Sequence, residues 1–327
     1  MTDLKAPYGA LAYFLDLHPD LGDFKTDVMT GLAQPQKSIS PKYFYDECGS
    51  KLFDKITALK EYYPTRTEKA LFLSSADEII AAIGARSAIF EYGSGSSEKV
   101  EWLVRGLEDP VAYVAMDISK DHLIDSATAL AGALPVPVAA ICADFHAPVT
   151  LPQGNFPQPK QWLGYFPGST IGNMLPETAV QFLKRASQTL GKNAKILIGV
   201  DLEKDKPVLE AAYDDTSGVT AAFNLNLLRR MRRELDAELI LEDFEHFAFY
   251  NEKLCRIEMH LRAIRPTAIS IGEQKFNFVE GETIHTENSH KYSIDRLKVL
   301  IEQTPWRLNH VWTDPQNWYA ACLLGNN

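Results

Sequence analysis

The stretch Trp162-Leu-Gly-Tyr-Phe-Pro-Gly-Ser-Thr-Ile-Gly-Asn173 runs an apolar strand straight into a glycine-rich turn that ends on an asparagine. An open α/β sheet puts its ligands at the carboxyl ends of its strands, and glycine there lets the backbone approach a bound molecule with no Cβ in the way. Gly168 and Gly172 suit that use, and Asn173 offers one acceptor and two donors for a small polar group. The same residues also describe a plain strand and tight turn, with Asn173 capping a helix that begins near Pro176 and Glu177. The neighbouring segments have to decide.

Outward from this stretch, short apolar runs at residues 87–92, 112–118, 136–142, 162–166 and 194–200 alternate with helical patterns at 97–107, 121–134 and 177–190. Continuous apolar strands separated by helices predict a parallel sheet covered on both faces. After Asp201 the rhythm breaks. Residues 204–236 read as helices, 244–250 with 254–263 as an antiparallel hairpin turned at Asn251 and Glu252, and 275–292 as a further extended stretch. A helix at 294–303 and two short strands at 308–313 and 318–324 then return to the sheet. These elements predict an α/β fold with a seven-stranded, mostly parallel sheet that has one antiparallel strand. Residues 67–201 and 292–327 are expected to make the sheet domain, and residues 1–66 and 202–291 an additional α+β lobe.

A formal charge of −10 over 327 residues, 46% of them apolar, describes a globular chain and argues against nucleic-acid binding, which rests on clustered Lys and Arg. A small-molecule partner is expected. There is no apolar run of about 18 residues and no signal-peptide pattern, so no membrane association is expected and the chain is read as cytoplasmic. It is taken as a monomer. Cys48, Cys142, Cys255 and Cys322 lie far apart with no CxxC pair and are read as buried free thiols.

The first strand of the sheet ends in Phe90-Glu-Tyr-Gly-Ser-Gly-Ser-Ser-Glu-Lys99. Glycines after a strand turn the chain sharply, and the following helix presents free N–H groups to a ligand. A dinucleotide fingerprint needs a third glycine where this chain has Glu98, whose charge opposes a pyrophosphate. A nucleoside without phosphates fits better. Asp117 ends the second strand, 24 residues after Gly93, where an acid accepts from both ribose hydroxyls; by itself it is equally a cap for the helix from Ser119. After the third strand, Asp144-Phe145 sets an acceptor beside a ring, suited to adenine, or else is a turn residue before a core Phe. Together the three strand ends point to one adenosine compound, S-adenosylmethionine.

Several longer stretches carry a resemblance. Tyr43-Phe-Tyr-Asp-Glu-Cys-Gly-Ser50, Glu61-Tyr-Tyr-Pro-Thr-Arg-Thr-Glu68, Gly93-Ser-Gly-Ser-Ser-Glu-Lys99, Gly168-Ser-Thr-Ile-Gly-Asn173, Ala212-Tyr-Asp-Asp215, Ala222-Phe-Asn-Leu-Asn226 and Arg256-Ile-Glu-Met-His-Leu-Arg262 closely resemble the histidine Nα-methyltransferases of ergothioneine biosynthesis. The resemblance implies a class I (Rossmann-like) S-adenosylmethionine-dependent methyltransferase fold with a family-specific substrate lobe. It also implies three methyl transfers to the α-amino group of L-histidine, giving hercynine. Position by position, it makes Gly93, Lys99, Asp117, Asp144 and Phe145 the contacts of the methyl donor. Tyr62, Asn173, Tyr213, Glu287 and Ser289 become histidine contacts, with Tyr45, Gly168 and Met259 nearby.

The residue chemistry is compatible. Glu287 and Ser289, two apart in an extended segment, point to one side and could hold the two nitrogens of one imidazole, although Glu-x-Ser is also a common exposed strand pattern. Tyr62 and Tyr213 carry phenols able to donate to a carboxylate, or are packed rings. Met259 is a wall against the ring or a core residue. Asn173 and Tyr45 are the expected catalytic residues, Asn173 by accepting from the amine. Related fungal enzymes methylate a tryptophan derivative, but an indole N–H cannot use both Glu287 and Ser289. A nicotinamide oxidoreductase and a non-catalytic binding protein are the remaining readings. No metal is expected: His285 and His290, five apart in an extended segment, should face opposite ways.

Overall fold

The computed structural model describes residues 9–19, 22–95, 98–145, 147, 149–151 and 156–326. In chain order its strands are β1 (Tyr13–Asp16), β2 (Ser87–Tyr92), β3 (Ala112–Asp117), β4 (Val138–Cys142), β5 (Gln161–Phe166), β6 (Lys195–Asp201), β7 (Phe244–Asn251), β8 (Arg256–Ala263), β9 (Thr267–Ile271), β10 (Gln274–Phe278), β11 (Thr283–His290), β12 (Trp306–Thr313) and β13 (Tyr319–Asn326). The chain divides into two compact units: Met1–Leu21, Thr67–Leu202 and Tyr292–Asn327 in one, Gly22–Arg66 and Glu203–Lys291 in the other.

In the first unit the described residues form an eight-stranded sheet of order β1-β4-β3-β2-β5-β6-β13-β12. β13 is antiparallel to both β6 and β12; the other pairings are parallel. Both faces are covered, and the period-two geometry of a strand sorts its residues between them. Val114 and Met116 of β3 enter one core, whereas Tyr113 and Ala115 enter the other. Neighbours of both parities are therefore apolar, which is why these strands read as unbroken apolar runs. From β2 the chain steps outward through β3 and β4, then crosses to the other side of β2 as β5. That reversal opens a crevice beyond the carboxyl ends of β2 and β5.

The expected seven strands are joined by an eighth. β1, in the stretch expected to belong to the lobe, pairs in parallel with β4, from Tyr13 opposite Ala139 to Asp16 opposite Cys142. Its apolar run, residues 11–15, stands apart from the alternation of strands and helices that begins near residue 87, and the sorting of Tyr13 and Leu15 against Phe14 has meaning only beside β4.

The second unit holds an antiparallel sheet of order β11-β8-β7 and a β9–β10 hairpin. Helices at Phe24–Leu32, Glu47–Thr57, Lys206–Tyr213 and Val219–Leu235 accompany them. The single extended stretch expected over 275–292 is broken: a turn at 279–282, with Gly281 at φ +84°, separates β10 from β11, and β10 pairs back onto β9. Of the cysteines, Cys142, Cys255 and Cys322 are buried and outside any disulfide, but Cys48 is exposed, in the first turn of an amphipathic helix.

Several of the quoted stretches have local structural work. Asp46 caps the Glu47–Thr57 helix by accepting from the Gly49 amide at 2.7 Å, and takes Asn226 Nδ2 at 2.8 Å. Asp215 receives the Val219 and Thr220 amides at 3.0 and 2.7 Å, satisfying the start of the next long helix. A Cβ on Gly49 would stand 1.7 Å from the Phe44 carbonyl oxygen. Gly49→Ala, which in an open helix would be favourable, should therefore lower the unfolding free energy by about 1–3 kcal/mol in a urea titration.

Candidate active site

The residues assigned to the methyl donor follow the carboxyl ends of neighbouring strands. After β2, Gly93 turns at φ +71°, and a Cβ there would meet nothing within 4 Å. The next side chain, Ser94 Oγ, is buried and has no hydrogen-bond partner among the described residues. An open glycine turn beside an orphaned hydroxyl fits a polar ligand. Asp117 ends β3 and accepts from the amides of Ser119 (2.9 Å) and Gly95 (3.4 Å), which ties its carboxylate to that turn. Its carbonyl accepts from Ala143, bringing the β3 and β4 ends together just before Asp144 and Phe145. Phe145 is half-buried, edge-on to Phe166 and Phe182 at 6.0 and 5.8 Å. The backbone of Lys99 lies in the helix Glu98–Gly106; its side chain, with Ser96 and Ser97, falls outside the described residues.

Beyond β5, Gly168 (φ +77°) and Ser169 (φ +56°) turn the chain into the short 3-10 helix Thr170–Asn173. The Gly168 amide donates to buried Glu68 at 2.6 Å, and Ser169 Oγ accepts from the Asp201 amide at 2.9 Å. The glycine therefore serves the turn itself. Asn173 is half-buried and does not cap the following helix, whose N-cap position is Leu175.

The histidine-assigned residues of the second unit gather around a β-bulge. In the β11–β8 pairing, His285 lies opposite His260, yet Glu287 lies opposite Met259, so Thr286 is the extra residue. The bulge turns Glu287 and Ser289 to the face shared by Ile257 and Met259, and leaves His285 and His290 on the other. His285 and His290 thus share a face, contrary to the expectation from a regular strand. Ser289 Oγ lies 2.7 Å from Tyr213 Oη. Tyr213, Tyr62, Phe53 and Tyr45 form a chain of edge-on rings with centroids 5.6–6.4 Å apart. Met259 is only 1% exposed, so it serves mainly as core.

Electrostatics single out Glu287. Burial pushes its carboxyl from 4.5 up to about 7, partly opposed by the Lys291 ammonium. Tyr45 is 49% exposed, but its surroundings still hold its phenol above the ordinary value, first by desolvation and then through Glu287 and Tyr213. Lys291, which no expectation included, is 1% exposed and donates to Ser289 Oγ at 2.9 Å and Tyr213 Oη at 3.1 Å. Its signal was present: Glu287, Ser289 and Lys291 recur every second residue. Phe53 and Phe223, packed about Tyr45, were likewise missed.

On the opposite face, Glu258, His260 and His285 bring possible ligand atoms within 4.8 Å of one another. They suit a metal poorly. The imidazoles stack at 4.7 Å and 17°, so their in-plane lone pairs do not converge. His260 is spent on Glu258 and Thr283, both at 3.1 Å, and Arg256 and Asn251 already occupy Glu258 Oε1. Desolvation, with His285 beside it, holds His260 at about 4, a neutral ring.

The strand order, the switch-point crevice and the glycine turn with its acid define a class I methyltransferase fold. A family model described as "Histidine-specific methyltransferase, SAM-dependent" matches residues 24–326. The chain is 38% identical to histidine N-alpha-methyltransferase of Mycolicibacterium smegmatis, over 96% of this chain and 98% of that one. It is 36% identical to the Mycobacterium tuberculosis protein of the same name, over 91% and 94%. Ergothioneine biosynthesis protein 1 of Neurospora crassa is 30% identical over 93% of this chain and 35% of that longer protein. The chain belongs to the histidine-specific, S-adenosylmethionine-dependent methyltransferase family.

A carboxyl whose folded value exceeds 4.5 favours the folded chain below that pH, and the advantage is lost as pH rises through about 7. Keeping Glu287 ionised should thus cost at most about 3 kcal/mol at pH 8. Glu287→Gln removes that charge. Urea unfolding should find the variant more stable than the parent by about 1–3 kcal/mol at pH 8, and no more stable at pH 4.5.

Proposed function

We propose that this chain transfers three methyl groups in succession from S-adenosylmethionine to the α-amino nitrogen of L-histidine, forming hercynine at the first step of ergothioneine biosynthesis. The observation that most supports an imidazole-bearing substrate is the pairing of a desolvated carboxyl, Glu287, with a hydroxyl, Ser289, on one strand face lined by tyrosines. Glu287 accepts the ring N–H and Ser289 meets the other nitrogen. An indole has only one nitrogen and would leave one of the two unpaired, at about 1–3 kcal/mol.

S-adenosylmethionine supplies a methyl group already activated on a sulfonium, so no protein nucleophile is needed. What remains for the chain is orientation and exclusion of water. Gly93, Asp117, Asp144 and Phe145 hold the donor, with Lys99 assigned by family resemblance. Asn173 accepts a hydrogen bond from the amine and aims its lone pair, while Tyr62 donates to the carboxylate end and Tyr213 stands behind Ser289. The rings of Tyr45, Tyr62 and Tyr213 tolerate the growing ammonium by cation–π attraction, about 0.5–2 kcal/mol at such sites. The reading is of a cytoplasmic monomer acting on small molecules, without a metal. Among the described residues no helix is long and apolar enough to cross a membrane.

Mass spectrometry of L-histidine incubated with the protein and S-adenosylmethionine should show successive methyl-sized gains ending at the trimethylated product. Asn173→Ala should lower kcat at least about tenfold with little change in donor affinity. Full turnover by that variant would remove Asn173 from its role.

A further inference from the structure

The ammonium of Lys291, a residue 1% exposed, lies 2.9 Å from Ser289 Oγ, 3.1 Å from Tyr213 Oη and 4.7 Å from the centroid of the Tyr213 ring. A buried ammonium is costly unless its donors are used. Its backbone continues the strand pairing, with the Lys291 amide donating to the Cys255 carbonyl at 2.8 Å. Glu287, Ser289 and Lys291 therefore project to one side at two-residue intervals.

Counting hydrogens shows what this arrangement imposes. An ammonium only donates, so Ser289 and Tyr213 both turn a lone pair toward Lys291. The two hydroxyls also bond to each other at 2.7 Å, which uses one of their two hydrogens. The substrate ring is assigned the second hydroxyl hydrogen of the pair. With Glu287 ionised and accepting a ring N–H, the other ring nitrogen carries a lone pair and needs a donor. Tyr213 then donates to Ser289, and Ser289 gives its hydrogen to the ring. An imidazolium has no such lone pair and would set N–H against O–H.

We propose that Lys291 is a positioning residue, acting through Ser289 and Tyr213, which makes the ring-binding face selective for neutral imidazole in one tautomer. The inference rests on reading Glu287 and Ser289 as the ring contacts. Among the described residues of the second unit, Lys291 on its own strand and Tyr45 interact with Glu287, and Tyr213 at the end of the Lys206–Tyr213 helix interacts with Tyr45. Its strand neighbours Met259 and Ile257 carry no charge. Lys291 opposes the rise in the Glu287 carboxyl, so its removal moves the acid limit of histidine binding to higher pH.

The test is calorimetric titration of L-histidine into the parent, Lys291→Met and Lys291→Arg from pH 6 to 9, with S-adenosylhomocysteine binding as the check of folding. Lys291→Met should weaken histidine at least tenfold and shift the acid limit upward, leaving S-adenosylhomocysteine within twofold. Lys291→Arg should recover part of the loss. A merely structural role would leave the acid limit in place. Folded Lys291→Met that binds histidine like the parent at every pH overturns the role of Lys291 alone; a parent that fails to bind histidine overturns the site reading, and this inference with it. A measurement on the unaltered protein needs no variant: ring-15N-labelled histidine, bound at pH 8, should show one protonated and one unprotonated nitrogen in a single tautomer. Two protonated nitrogens, or a mixture of tautomers, would contradict the proposal.

Discussion

Asn224, wholly buried in the Val219–Leu235 helix, ties four segments of the second unit together. Its Oδ1 accepts from Thr286 at 2.9 Å, and its amide group donates to the His260 carbonyl and to His246 Nδ1, both at 2.9 Å. His246 passes the constraint on, since Nδ1 as acceptor leaves Nε2–H to donate to the Tyr213 carbonyl at 2.8 Å. Desolvation keeps that imidazole below its ordinary value, consistent with a neutral ring able to do both. One asparagine thus pins the bulge at Thr286, the strand across from it and the backbone of Tyr213. A buried network of this kind is valuable only when complete, because each unpaired member would cost about 1–3 kcal/mol.

The bulge matters because strand geometry has a period of two. In a regular strand Glu287 would share a face with His285; the extra residue separates them. One face then carries the half-buried carboxyl with the buried hydroxyl and ammonium, and the other a stack of neutral histidines closed on Glu258, Thr283 and Arg256. The cost falls on Glu287 itself, whose carboxyl burial pushes up to about 7. A destabilised carboxyl is what a site reserved for a hydrogen-bonding ligand should contain.

The sheet unit was largely legible in the sequence because strands buried on both faces leave unbroken apolar runs, and because Gly93, Asp117, Asp144 and Gly168 fall at or just past their ends. β1 was not legible, since its apolar run, residues 11–15, stands apart from the strand–helix alternation that announced the others. The bulge was not legible either. Thr286 is an ordinary strand residue, and its role depends on Asn224, 62 positions away. The quoted motifs mixed two kinds of residue that a resemblance cannot separate. Asp46, Gly49, Asp215 and Asn224 build helix starts, a close backbone approach and a network, whereas Tyr62 and Tyr213 pack edge-on to each other with Tyr213 against Ser289. Lys291 announced itself by spacing alone, and a lysine at a strand end is ordinarily exposed.

The claim on which the rest stands is that the Glu287 carboxylate receives the ring of the substrate. Isothermal titration of L-histidine and L-tryptophan into the parent protein and Glu287→Ala tests it most directly. The account predicts that the variant loses at least tenfold in histidine affinity while tryptophan binding is retained or improved. Histidine bound by Glu287→Ala as tightly as by the parent would contradict it.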